Sequence, residues 1–144
     1  MNTRVMAEDY IRRARTNLRQ AEDSYSMADY ATSIRRAQEC VELALKAVLR
    51  LLAIEYPLKH DVGDVLETLQ SRKDLPPWFT SAIPNLVETS ADLSRKRGPA
   101  MYGYEAELKP ASDLFTEEDS KKALEAARKV FLACEKLVGF VEEV

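Results

Sequence analysis

Between residues 29 and 55, apolar side chains at Ile34, Ala37, Val41, Ala44, Leu45, Val48, Leu51 and Leu52 recur at spacings of three and four. That period marks one broad face of an α-helix and does not fit the two-residue alternation of a strand. At about 1.5 Å per residue such a helix is about 40 Å long, enough to pack against every other element of a small fold. The same spacing occurs in two more places. Ile11, Ala14, Leu18, Ala21 and Tyr25 form a stripe over residues 7–26. Ala123, Ala127, Val130, Phe131, Cys134, Leu137, Val138 and Val141 form another toward the end of the chain.

The shorter elements are set by punctuation. Pro57 closes the long helix, and Val62, Val65, Leu66 and Leu69 share one side of a third helix over residues 62–70. His60 or Asp61 can cap its start. After a turn at residues 73–77, a fourth helix begins near Pro77 and Trp78 and carries Ile83, Leu86, Val87 and Leu93 toward Arg97, with Pro84 bending or splitting its first turns. Gly98 and Pro99 are predicted to end it, because glycine supplies a left-handed terminus and proline cannot continue. Residues 100–114 then read as a loop. Thr116 is the predicted N-cap of the last helix, with Glu117, Glu118 and Asp119 placed favourably in its first turn. The expectation is one all-α domain over residues 1–144, an antiparallel up-and-down bundle of about five helices.

Composition removes several classes of function. The formal charge of −3 gives no global positive excess for constitutive nucleic-acid binding, so any such site must be local. Arg12, Arg13, Arg15 and Arg19 on the first helix offer a strip to phosphate or, more commonly, a solvated face paired with Glu8, Asp9, Glu22 and Asp23. One histidine and two distant cysteines, Cys40 and Cys134, provide no metal-ligand cluster, and both cysteines read as reduced core residues. No glycine-rich phosphate loop and no Gly-x-Ser-x-Gly elbow is present, so no cofactor is expected. The first ten residues lack an apolar signal core, and no run approaches the roughly 20 apolar residues of a membrane span. A cytoplasmic protein without membrane contact is expected.

The remaining candidate is the segment from Arg95 to Tyr104, where Arg95, Lys96 and Arg97 lead into Gly98, Pro99, Ala100, Met101, Tyr102, Gly103 and Tyr104. Guanidinium groups grip phosphate bidentately and tyrosine rings stack on bases. The same residues fit a structural role equally well, with cations complementing the last carbonyls of a helix and tyrosines pinning a loop.

Tyr30, Ala37, Gln38, Glu42, Ala44, Leu45, Lys46 and Leu49 in the long helix, His60 opening the next, and the stretch from Arg97 through Tyr102, Gly103, Pro110 and Phe115 to Ala123 together resemble the HEPN family. These are small helical bundles of archaea and bacteria whose name refers to nucleotide binding. The resemblance covers nearly the whole chain and implies the bundle fold. Many members are metal-independent endoribonuclease toxins with a motif of arginine, four to six residues, then histidine, followed in some by a tyrosine one residue further on. Here Arg97 is followed after four residues by Tyr102, then by Gly103 and Tyr104, so tyrosine stands at the histidine position. A phenol with a pKa near ~10 is a poor general base at neutral pH, where an imidazole near ~6.5 serves well.

The resemblance further implies a homodimer in which two copies of the motif face each other, and a nucleotidyltransferase as protein partner in a toxin-antitoxin pair. Arg97 and Tyr102 would then be the residual catalytic pair. Arg95, Lys96, Arg97, Tyr102 and Tyr104 would bind the ligand, with Glu42 and Lys46, alongside Glu39, as support for Arg97. The main expectation is a non-catalytic or weakly catalytic binder of a nucleotide or RNA. Two alternatives stand beside it: an active endoribonuclease with Tyr102 or His60 replacing the usual base, and a structural adaptor.

Overall fold

The computed structural model describes residues 3–143, and side chains up to residue 140. The fold is an all-α antiparallel bundle built on four long helices, α1 (Thr3–Ser26), α2 (Tyr30–Leu51), α5 (Ile83–Tyr102) and α6 (Glu117–Glu143). Two short helices, α3 (Gly63–Glu67) and α4 (Pro77–Thr80), lie in the connection between α2 and α5. α2 is the central element and packs against α1, α5 and α6. Its Ile34, Ala37, Val41, Ala44, Leu45 and Val48 are all buried, as the period requires, together with Cys40, Ala47 and Leu49. Ile11, Ala14 and Ala21 of α1 and Ala127, Val130, Cys134 and Leu137 of α6 close the core around it. Val141, assigned above to the same stripe, lies outside the described side chains. α1 and α6 run antiparallel, and exposed ion pairs cross between them, Arg128 to Glu22 at 2.8 Å and Arg15 to Glu135.

Helix ends account for most departures from the expected boundaries. α1 and α2 both finish in a Schellman arrangement. Asp29 N donates to Ser24 O and Ala28 N to Tyr25 O, while Ile54 N donates to Leu49 O and Ala53 N to Arg50 O. Each places an alanine in the left-handed position, Ala28 at φ 62° and Ala53 at φ 56°, where glycine is usual. α2 therefore stops at Leu51, before the predicted boundary near residue 55, because its last carbonyls are already satisfied by the reversal. At the far end of the chain the expected cap is present. Thr116 Oγ1 accepts from Asp119 N at 3.2 Å and Asp119 Oδ2 accepts from Thr116 N at 2.9 Å, a reciprocal capping box.

The fourth predicted helix is two. Pro84 sits in the first turn of α5, where its missing N–H costs nothing, and α4 forms a separate turn whose Phe79 is fully buried. The expected stop at Gly98 and Pro99 is corrected, since α5 runs through both to Tyr102. Pro99 removes only the hydrogen bond to the Arg95 carbonyl, a loss one bond deep near a helix end. The true terminator is Gly103, at φ 69°, whose N donates to Pro99 O at 2.9 Å. A Cβ at Gly103 would lie 2.2 Å from Lys109 O. Residues after it form two 3₁₀ turns, Glu105–Glu107 and Ala111–Asp113, tied by a backbone bridge between Tyr104 and Lys109. Among the described residues no helix is long and apolar enough to cross a membrane.

Candidate functional site

Carrying α5 past Gly98 places Arg97 within the helix, facing α2. Its Nη1 donates to Gln38 Oε1 at 2.5 Å and lies 3.5 Å from Glu39 Oε1. Gln38 is almost wholly buried, at 1% exposure, in the middle of the apolar face of α2. Its amide nitrogen donates to Glu42 Oε1 at 3.0 Å. Glu42 in turn accepts from Lys46 Nζ at 2.8 Å and is 2.7 Å from Nδ1 of His60. Gln38, Glu42 and Lys46 stand four residues apart, so successive turns of one helix supply the chain of contacts. The result is a continuous polar path from the guanidinium to the imidazole.

The charge states follow from the partners. Burial pushes the Glu42 carboxyl up, but hydrogen bonds from Gln38, Lys46 and His60 outweigh it and hold the group below its ordinary value. An ionised carboxylate only accepts, so Nδ1 of His60 is the donor in this contact and the ring is held with its other nitrogen turned away from Glu42. The N-cap position of α3 is Val62, and Asp61 just before it accepts from Gly63 N, the first amide of the helix, at 2.9 Å and from Ser90 Oγ at 2.8 Å. That releases His60 to face Glu42. Glu39 is shared by three guanidiniums, with Arg35 at 3.3 Å, Arg36 at 3.2 Å and Arg97 at 3.5 Å. One carboxylate cannot neutralise three, and the surroundings of Arg97 keep a positive surplus.

Two depressions meet at Arg97 and His60. One, of about 330 Å³, is lined by these two residues with Ser94, Gly98, Met101 and Tyr102. The other, of about 200 Å³, lies toward α1 and adds Arg13, Asn17, Glu39 and Glu42. Together they put a guanidinium fork, an oriented imidazole and a phenol around one space, groups suited to holding a phosphate and to moving a proton beside it.

The sequence-predicted residues divide between this space and its surroundings. Arg97 and Tyr102 share a cavity, and Glu42 and Lys46 form the support behind them. Arg95 and Lys96 lie on another face of α5, paired with Asp92 at 3.2 and 2.9 Å, and line a separate depression against α6. Tyr104 follows the turn at Gly103, with its backbone paired to Lys109 and its ring nearly half exposed. Gln38 is the member that residue-level reasoning passed over as a site residue. Its signal was a long amide set inside an apolar stripe, four residues before Glu42. Burial pushes the Cys40 thiol up to about 12, which leaves it protonated and not a nucleophile.

The HEPN domain pattern matches residues 7–137, and the chain belongs to the HEPN domain family. Its structure is similar to that of TT1696 from Thermus thermophilus, at 29% identity and a TM-score of 0.71 over 90% of this chain and 96% of that one. It also resembles an archaeal HEPN homologue, ST0689, at 20% identity and a TM-score of 0.67 over 92% and 97% of the two chains. The second likeness concerns the fold alone. No curated protein sequence matches the chain.

Proposed function

We propose that this HEPN-domain protein binds the phosphate of a nucleotide or RNA in the Arg97 cavity, with little or no catalysis, as one half of a homodimer and as partner of a nucleotidyltransferase in a toxin-antitoxin pair. The observation that carries the reading is Arg97 itself, held by Gln38 and Glu39 in a positively biased space that also contains His60 and Tyr102. A fixed guanidinium fork matches a phosphate oxygen pair in a way that a mobile ammonium does not. Exposed Met101 and Tyr102 line the cavity, exposed Tyr104 and Leu108 follow them in the chain, and together they suit a face shared with a second copy. Titration of nucleotides and short RNAs against wild type and Arg97→Ala tests the ligand. Binding by wild type and its loss in the variant are expected, and no binding by either removes the reading.

A second reading, an active endoribonuclease, is favoured by the pairing of His60 with Glu42 beside Arg97. Here Nε2 of His60 in its neutral form, and not Tyr102, takes the 2′-hydroxyl proton. The 2′-oxygen bonds to phosphorus, the bond to the 5′-oxygen breaks, and that oxygen is protonated from solvent. The products are a 2′,3′-cyclic phosphate and a 5′-hydroxyl. Cleavage of labelled RNA in EDTA that disappears in both Arg97→Ala and His60→Ala is the required result. Activity that survives His60→Ala excludes this assignment.

A further inference from the structure

Positive charge on this face continues beyond the Arg97 cavity. Arg13 of α1 lines the depression that includes Arg97 and His60, and its guanidinium lies 5.8 Å from the ring centre of Tyr10. Tyr10 is hydrogen-bonded to Tyr56. Over the ring of Tyr56 lie Arg50 at 4.9 Å and Lys46 at 5.3 Å. Lys46 closes the path, because it bonds Glu42, the carboxylate that holds His60. A strip of cations braced on aromatic rings thus follows the seam of α1 and α2 from Arg97 to Arg50.

That charge is poorly compensated. Arg13 reaches Asp9 only at 3.8 Å, and Asp9 is already engaged by Arg12. Arg50 bonds Tyr56 and feels the charge of Glu55, but among the described residues it closes no ion pair, although the chain as a whole is acidic at −3. An aromatic face attracts a cation without cancelling its charge. The guanidiniums therefore stay available to an anion along the strip.

We propose that this strip is a track for single-stranded RNA, whose successive phosphates meet Arg97, Arg13 and Arg50. The proposal rests on Arg97 as a phosphate site and names the substrate as a polynucleotide, not a mononucleotide. From Glu39 to Arg50, α2 rises about 16 Å, the span of about five phosphates at the roughly 3.4 Å spacing of a stacked strand. The cavity at its end, about 330 Å³, takes one unpaired nucleotide, with the exposed ring of Tyr102 as a stacking surface.

Fluorescence anisotropy with uridine monophosphate and with oligouridylates of three, six and nine nucleotides tests the track, using wild type, Arg13→Ala and Arg50→Ala. Affinity should climb up to the six-nucleotide strand and then level off. Each variant should weaken six-nucleotide binding on the order of fivefold and flatten the slope of log K against log salt by about 0.7. Monophosphate binding should not change in Arg50→Ala. Equal affinity for monophosphate and six-nucleotide strand, or six-nucleotide binding indifferent to Arg50→Ala, overturns the track and leaves the Arg97 cavity standing. A six-base-pair duplex that binds as tightly as the single strand also overturns it. Wild type that binds neither monophosphate nor oligonucleotide overturns both readings.

Discussion

At the scale of single residues, the candidate site depends on how a half-buried carboxylate is kept ionised. Burial alone pushes Glu42 up, and the bonds from Gln38, Lys46 and His60 reverse the direction, so its native value lies below the ordinary 4.5. A lowered acid contributes stability that is whole above its unfolded value and is lost as the pH falls through the native one. Urea denaturation of wild type should therefore weaken through the range below about pH 4.5. Glu42→Gln should cost about 1–2 kcal/mol at neutral pH, where charged hydrogen bonds are lost, and show a flatter acid limb. An equal acid limb in both proteins would exclude Glu42 as its source. Arg97, Tyr102 and Glu42 were legible as site residues because their types and spacing carry chemistry. Gln38 was not, because a polar residue inside an apolar stripe acquires its role only when the facing side of α5 is known. The choice between His60 and Asp61 was likewise undecidable along the chain, since either side chain can cap a helix.

At the scale of elements, the apolar periodicity placed the long helices and left their ends uncertain. Ala53 shows why. It occupies a left-handed position that glycine normally announces, as Ala28 does after α1, so α2 stops at Leu51 with no glycine to mark it and short of Pro57, whereas α1 ends at Ser26, where its stripe had placed it. Gly98 and Pro99 gave the opposite error, a stop signal inside a helix that tertiary contact of Arg97 with α2 sustains. Relief of strain at the two alanines is measurable. Ala28→Gly and Ala53→Gly should each raise stability by about 0.5–1 kcal/mol, the left-handed penalty less the added freedom of the unfolded chain, and a fall in the denaturation midpoint would contradict this. Gly103→Ala should act in the other direction. A Cβ 2.2 Å from Lys109 O and 2.7 Å from Ala111 N forces the turn apart, at a cost of about 2–4 kcal/mol. Calorimetric melting would register it, and an unchanged midpoint would show that the turn yields freely.

At the scale of the molecule, α2 is both the centre of the core and the spine of the site, which is why fold and function draw on the same helix. The proposed dimer face can be tested without touching that spine. Leu108 is 89% exposed and already left-handed at φ 56°, a conformation that aspartate tolerates. Leu108→Asp should keep the fold and lower self-association in sedimentation, whereas an undiminished dimer would place the interface elsewhere. The amide of Gln38 has one more consequence. Turned over, it would set its NH₂ against a guanidinium and its oxygen against a carboxylate, so its orientation is locked and Arg97 is held still before any ligand arrives. An arginine side chain carries about 2 kcal/mol of rotamer entropy, and folding has already removed much of it here. Gln38→Ala should then bind nucleotide with a less favourable entropy in titration calorimetry, because the arginine must be ordered by the ligand instead of by the protein.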